Sequence, residues 1–158
     1  MDNYFFIPPI LGRIRDGKVK DKQLFYGSKR KRAGLYTGPV VKLHPHGFGI
    51  IKFGTICTLE GEWKEGKIDG PAVQIFSNGS KFEGELKDDA GFALFTMYHG
   101  QGKTCFENGD VYEDEYKNGK RNGYGKFFFN TGEIYLGKWK NDKKVGNGIL
   151  ILIVRNDF

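Results

Sequence analysis

The chain has 158 residues, enough for one domain or one short array of copied units. Twenty-four glycines, 15% aromatic residues and four alanines argue against a helical protein and for turns and strands. The formal net charge of +6 favours acidic partners, and the longest apolar run, residues 149–154, is far too short to cross a bilayer as a helix.

Residues 1–35 read as a basic and aromatic segment distinct from the rest of the chain. The first nine residues have no basic leader, and two prolines break their apolar run, which makes a poor secretory signal. Residues 13–20 read as a degenerate hairpin with an Asp16-Gly17 turn, and residues 29–34 as a solvated loop. The basic run Lys29, Arg30, Lys31 and Arg32 lies in that loop. It suits a nuclear signal, a phosphate contact or an anionic-lipid contact as well as plain solvation.

From Tyr36 onward the chain is periodic. Tyr36, Leu59, Phe82, Tyr112, Tyr135 and Phe158 are spaced by 23, 23, 30, 23 and 23 residues. Phe53, Phe76, Phe106, Phe129 and Leu152 keep step with them. A period of this size means one small unit copied and stacked. Units therefore begin near 36, 59, 82, 112 and 135, with an insertion within 87–99.

The unit at Leu59 shows the pattern. Leu59, Gly61 and Trp63 alternate with Glu60 and Glu62, the period of a half-buried strand. Glu65-Gly66 supplies a left-handed turn, residues 70–76 a second strand, and Asn78-Gly79 the turn into the next unit. The units at Tyr112 and Tyr135 repeat it. Parity places the Gly-x-Gly or Gly-x-Ala pairs on the face that carries Phe53, Phe76, Phe106, Phe129 and Leu152. A ring lying over a strand glycine offsets its weakness. Tyr36, Trp63, Phe82, Tyr112, Tyr135 and Trp139 are expected to cover those pairs. The result is an all-β, elongated, single-layer antiparallel meander of stacked hairpins, ten strands spanning roughly 50 Å.

The stretches Leu59-Glu-Gly-Glu-Trp-Lys-Glu-Gly-Lys and Tyr112-Glu-Asp-Glu-Tyr-Lys-Asn-Gly-Lys-Arg-Asn-Gly-Tyr-Gly resemble the MORN (membrane occupation and recognition nexus) repeat. The resemblance covers residues 36–158, about five repeats. The unit at Tyr36 departs from it at Thr37, Pro39 and Val40, and Asp114 stands where the pattern has glycine. The resemblance implies an extended β-rod. Such repeats occur in cytoskeletal and ciliary scaffolds, in membrane-junction proteins and as appendages of enzymes, so an intracellular, cytoskeletal or ciliary setting is the expectation by analogy.

Catalytic chemistry is hard to assemble from these residues. His44 and His46 flank Pro45 and could share one metal ion, but a third ligand is not in view. The pairs Glu60/Glu62, Glu83/Glu85 and Glu113/Glu115 share their face with lysines and read as solvated strand surface. Gly100-Gln101-Gly102-Lys103-Thr104 looks like a piece of a phosphate loop but occupies the repeat's own Gly-x-Gly position. Cys57 and Cys105 lie in different phases and suit a reduced protein. The reading is a non-enzyme without a cofactor. Nucleic acid is disfavoured, because the aromatics follow the repeat.

Two features ask for a protein partner. Phe48, Tyr124, Phe128 and Ile149 lie opposite the packed series, and residues 149–154 are apolar on both faces at the last full strand. Either residues 4–7 fold back on that strand or another protein covers it. The chosen partner-binding set is Trp63, Tyr116, Tyr124, Phe128 and Trp139, with Ile151 and Ile153 at the edge. They would line an aromatic groove holding a helix or extended segment. A module binding anionic lipid through Lys29, Arg30, Lys31 and Arg32 is the alternative.

Overall fold

The computed structural model describes residues 17–26, 32–42, 44–87 and 97–153. Twelve strands make one sheet: β1 (Gly17–Tyr26), β2 (Arg32–Val41), β3 (His44–Pro45), β4 (Gly47–Phe53), β5 (Cys57–Lys64), β6 (Lys67–Phe76), β7 (Lys81–Lys87), β8 (Met97–Cys105), β9 (Val111–Lys117), β10 (Lys120–Phe128), β11 (Ile134–Lys140) and β12 (Lys143–Ile151). Spatial order follows chain order, and the two-residue β3 alone leaves the path by pairing with β2. Each strand pairs antiparallel with its neighbours. Among the described residues there is no helix, so none is long and apolar enough to cross a membrane.

The repeat sets the turns. Glu65 and Gly66 have φ of 50° and 80°, and Asn118 and Gly119 have 52° and 76°. This is the left-handed conformation that a two-residue hairpin demands at both central positions. At the opposite end of each unit, Gly79, Gly109 and Gly132 donate their amides to Phe76, Phe106 and Phe129. The in-step aromatic series thus marks the closing turn of every unit.

A register shift recurs between the two strands of a unit, at Gly61/Trp63, Arg121/Gly125 and Gly137/Lys138. Bulges of this kind raise local twist and curl a sheet. The curl lets a single layer bury one of its own faces. Tyr36, Ile51, Leu59, Ile68, Phe82 and Tyr112 are completely buried there. Each such side chain contributes roughly 1.5–3 kcal/mol. They all sit at the parity that the sequence assigns to the packed face, whereas Glu60, Glu62, Glu83 and Glu85 take the other.

The N-terminal segment differs from its sequence reading. Gly17 opens a ten-residue strand along β2, with a register shift between Val19 and Lys22, instead of a short hairpin arm. Arg32, Ala33 and Gly34 are strand, paired with Tyr26, Phe25 and Leu24, and not loop. Once β1 runs to Tyr26, the antiparallel ladder must take its partners from Arg32 onward. The expectations for residues 4–7, 13–16, 29–31 and Phe158 lie outside the described residues. So does most of the insertion; pairing resumes at Lys87 opposite Met97.

Candidate partner-binding faces

The buried face is a layer of rings in two groups, joined at β6 by Ile68, Ala72 and Gln74. Tyr36 meets Trp63 edge-on at 5.6 Å between centroids, Phe82 meets Tyr116 at 5.3 Å, and Tyr112 meets Tyr116 at 5.2 Å. Trp139 is edge-on to both Tyr112 and Tyr135. Tyr98 stacks flat on Phe82 at 3.7 Å. Edge-to-face pairs add about 0.5–1.5 kcal/mol beyond area burial.

Tyrosines and one phenylalanine cover the glycines. A Cβ built on Gly49 or Gly125 would lie 2.6 Å from ring carbons of Tyr36 or Tyr112, and one on Gly102 would lie 2.7 Å from Phe82. Tyr135 covers both Gly137 and Gly148. The tryptophans do not share that task, which corrects the expectation for Trp63 and Trp139. A Cβ on Gly61, in the strand of Trp63, would meet Ala72 and Ile68. The indoles brace the tyrosines from the side, and Trp63 Nε1 donates to the Gly49 carbonyl at 3.0 Å. Trp139 Nε1 has no hydrogen-bond partner among the described residues.

The layer has a lid position. Opposite Trp63, Leu86, Tyr116 and Trp139 stand Ile68, Tyr98, Arg121 and Lys144. The lid is apolar early in the chain and cationic late. Arg121 lies 4.4 Å over the Trp139 ring and pairs with Asp142 at 3.2 Å. Lys144 lies 4.2 Å over Tyr135. Cation–π contacts at partly exposed sites are worth about 0.5–2 kcal/mol. The sequence shows this only through repeat phase, since Arg121 and Lys144 fall where Ile68 falls two and three units earlier.

Burial governs the phenols. Tyr36 and Tyr116 are pushed up to about 12, chiefly by desolvation, and Tyr98 and Tyr112 are raised in the same direction by the same cause. Their hydroxyls still find acceptors. Tyr36 donates to the Pro39 carbonyl and Tyr112 to the Glu115 carbonyl. Tyr98 donates to buried Gln74, which in turn donates to Cys57 Sγ at 3.5 Å. Burial raises the Cys57 thiol, with the Gln74 hydrogen bond opposing.

The chosen partner-binding residues divide between two environments. Trp63, Tyr116 and Trp139 are 2%, 5% and 3% exposed, inside the ring layer. Tyr124 and Ile149 are 69% and 63% exposed on the other face, and Ile151 and Ile153 are exposed beside them. Phe128 shares that face, half-buried next to Ile134. The basic run lies outside the described residues except for Arg32, whose backbone is in β2.

The face away from the rings carries a long depression. One part, about 1040 Å³, runs from Phe48 across Val73, Lys81, Glu83, Lys103 and Glu113 to Lys126. A second, about 430 Å³, holds Tyr124, Leu136, Asn147 and Ile149. Asp114 and Lys126 border both. On the ring side a shallower recess lies between Phe106, Phe127 and Arg121 and the turn residues Asn78, Asn108 and Asp110. Among the described residues no group of three or more His, Cys, Asp and Glu comes together around a metal position.

A family model described as the MORN repeat matches residues 60–81, 96–111, 112–134 and 135–152, together half of the chain. A search of curated proteins found no match.

Proposed function

The chain belongs to the MORN repeat family, and from that premise we propose that it is a non-catalytic scaffold holding partner proteins within a large cytoskeletal or ciliary assembly. Repeats of this family serve as protein-binding and membrane-binding modules. The observation that carries the scaffold reading is the exposed apolar face on β10–β12. Tyr124, Ile149 and Ile151 stand on one side of a sheet whose other side is already filled by its own rings. Contiguous apolar surface of that kind marks an interaction site. The binding residues are Tyr124, Phe128, Ile151 and Ile153. Tyr116 and Trp139 support them from beneath by holding the sheet rigid, and Trp63 does the same for the sheet around β5. Among the described residues the outer side of β12 pairs with no further strand, which gives a partner backbone a second place to engage.

Affinity purification of the full chain from its native source, with mass spectrometry, tests this. Recovery of cytoskeletal or axonemal proteins that survives raised salt supports the scaffold. A second reading, a membrane-surface module, draws on the run Lys29, Arg30, Lys31 and Arg32. Basic residues near an anionic surface are worth about 1 kcal/mol each. Recovery of lipid alone, abolished by salt or by neutralising those four residues, would replace the scaffold with that reading.

A further inference from the structure

The two parts of the depression on the face away from the rings meet at Asp114. In five units the third residue is Gly38, Gly61, Gly84, Asp114 and Gly137. Asp114 is thus the exception at a glycine position. It is in mid-strand, paired with Gly102 on one side and Gly125 on the other, with φ at 132°. Among the described residues the remaining positive-φ residues other than glycine, Lys42, Glu65, Asn118, Asn141 and Asp142, are at strand ends or turns. Asp114 lines both parts of the depression. A side chain held in glycine's conformation is retained against its own preference, which points to use.

Charge along the depression is largely settled internally. Lys81 pairs with Glu83 at 2.8 Å, and Lys103 with Glu113 at 2.7 Å. Asp114, Glu60 and Lys126 make no ion pair with a described residue. Pairing runs in one row across the sheet: Ile50, Glu60, Val73, Glu83, Lys103, Glu113, Lys126, Leu136, Ile149. Neighbouring positions are one strand apart, about 4.8 Å. An α-helix lying across the strands presents a side chain every three to four residues, about 4.5–6 Å, and keeps step with that row. An extended segment presents same-face side chains about 6.6 Å apart and finds no free backbone in mid-sheet.

We propose that this face is the bed for one amphipathic α-helix of a partner protein, laid across the strands, with Asp114 binding a basic residue of that helix. Lys126 takes an acidic residue one turn along, and Tyr124, Leu136 and Ile149 receive the apolar end. From β4 to β12 the bed accommodates about 26 helical residues over about 38 Å. The assignment rests on the scaffold reading above and names the occupant of its exposed face.

The probe is a labelled synthetic amphipathic helix with leucines on one face, a central arginine and a glutamate four residues on. Its control carries glutamate in place of the arginine. In the full chain Asp114→Gly restores the glycine of the repeat, so it raises Tm while weakening probe binding about tenfold or more. Asp114→Lys reverses the preference between the two peptides. Bound probe slows alkylation of Cys105, whose side chain lines the bed, while Cys57 stays buried. Unchanged affinity in both variants overturns the proposal, as does a lowered Tm for Asp114→Gly or no protection of Cys105. Partner proteins captured from the native source equally well by wild type, Asp114→Gly and Asp114→Lys would remove this bed and leave the scaffold. Capture of no protein at all would remove the scaffold.

Discussion

Tyr112 shows at the residue scale how a glycine-rich strand becomes stable. Its ring lies where the side chain of residue 125 would otherwise stand, and its hydroxyl reaches back to the Glu115 carbonyl. The glycine is therefore a space requirement, since φ at 125 is not in the left-handed range. An alanine methyl at 125 would come within 2.6 Å of two ring carbons, and the buried ring has nowhere to go. Gly125→Ala is expected to destabilise by about 1–3 kcal/mol, as overpacking does. Urea unfolding checks it, and a midpoint equal to wild type would refute the fit. The coupling of ring and glycine was legible in spacing, because both recur with the unit. The role of the indoles was not. Alternation placed Trp63 and Trp139 on the correct face, but whether a tryptophan covers a glycine or braces a tyrosine depends on strand curl, which no local pattern encodes. For the same reason Trp63, Tyr116 and Trp139 read as partner contacts in sequence and prove to be inside the layer.

At the scale of the element, each unit is a hairpin with a left-handed turn at one end and a glycine turn at the other. Turn amides tie each unit to the one before: Gly66 donates to Pro45, Gly119 to Tyr98 and Asp142 to Arg121. Those ties hold the turn conformation whatever residue occupies it. Glu65 has φ of 50°, a conformation that costs a residue with a Cβ about 1 kcal/mol relative to glycine. Its side chain is exposed. Glu65→Gly is expected to raise stability by up to about 1 kcal/mol, less the added freedom of the unfolded chain. Thermal unfolding reads the change, and a fall in Tm would mean the turn is held by the glutamate side chain after all. The Glu-Gly and Asn-Gly turns were visible in sequence as hairpin signals. The strand from Gly17 to Tyr26 was not, because it lies outside the repeat phase and its pairing is dictated by β2.

Across the described residues the strands pair in chain order, so each contact is between strands adjacent in the chain, and stability is a sum over units and their junctions. Ring contacts cross three of the junctions, and the Tyr98–Gln74 hydrogen bond crosses the one between the units at Leu59 and Phe82, which ties the units into one response to alkali. The neutral phenol is the form that the fold holds. Unfolded tyrosines ionise near 10, whereas Tyr36 and Tyr116 are pushed to about 12 and Tyr98 and Tyr112 are raised likewise, all by burial first. A folded value above the unfolded one means the stabilisation is complete below pH 10 and is lost as pH rises through 12. Stability is therefore expected to fall steeply between about pH 10 and 12. Loss of strand circular dichroism and growth of tyrosinate absorbance from these four rings should coincide. The four are half of the eight tyrosines in the chain, so a two-step absorbance change is expected, with the later step tracking unfolding. Full tyrosinate absorbance near pH 10 with the sheet intact would mean the layer is open to solvent. The rigidity assigned to the exposed face of β10–β12 would then lack its support, because that face is braced from behind by Tyr112, Tyr116 and Trp139.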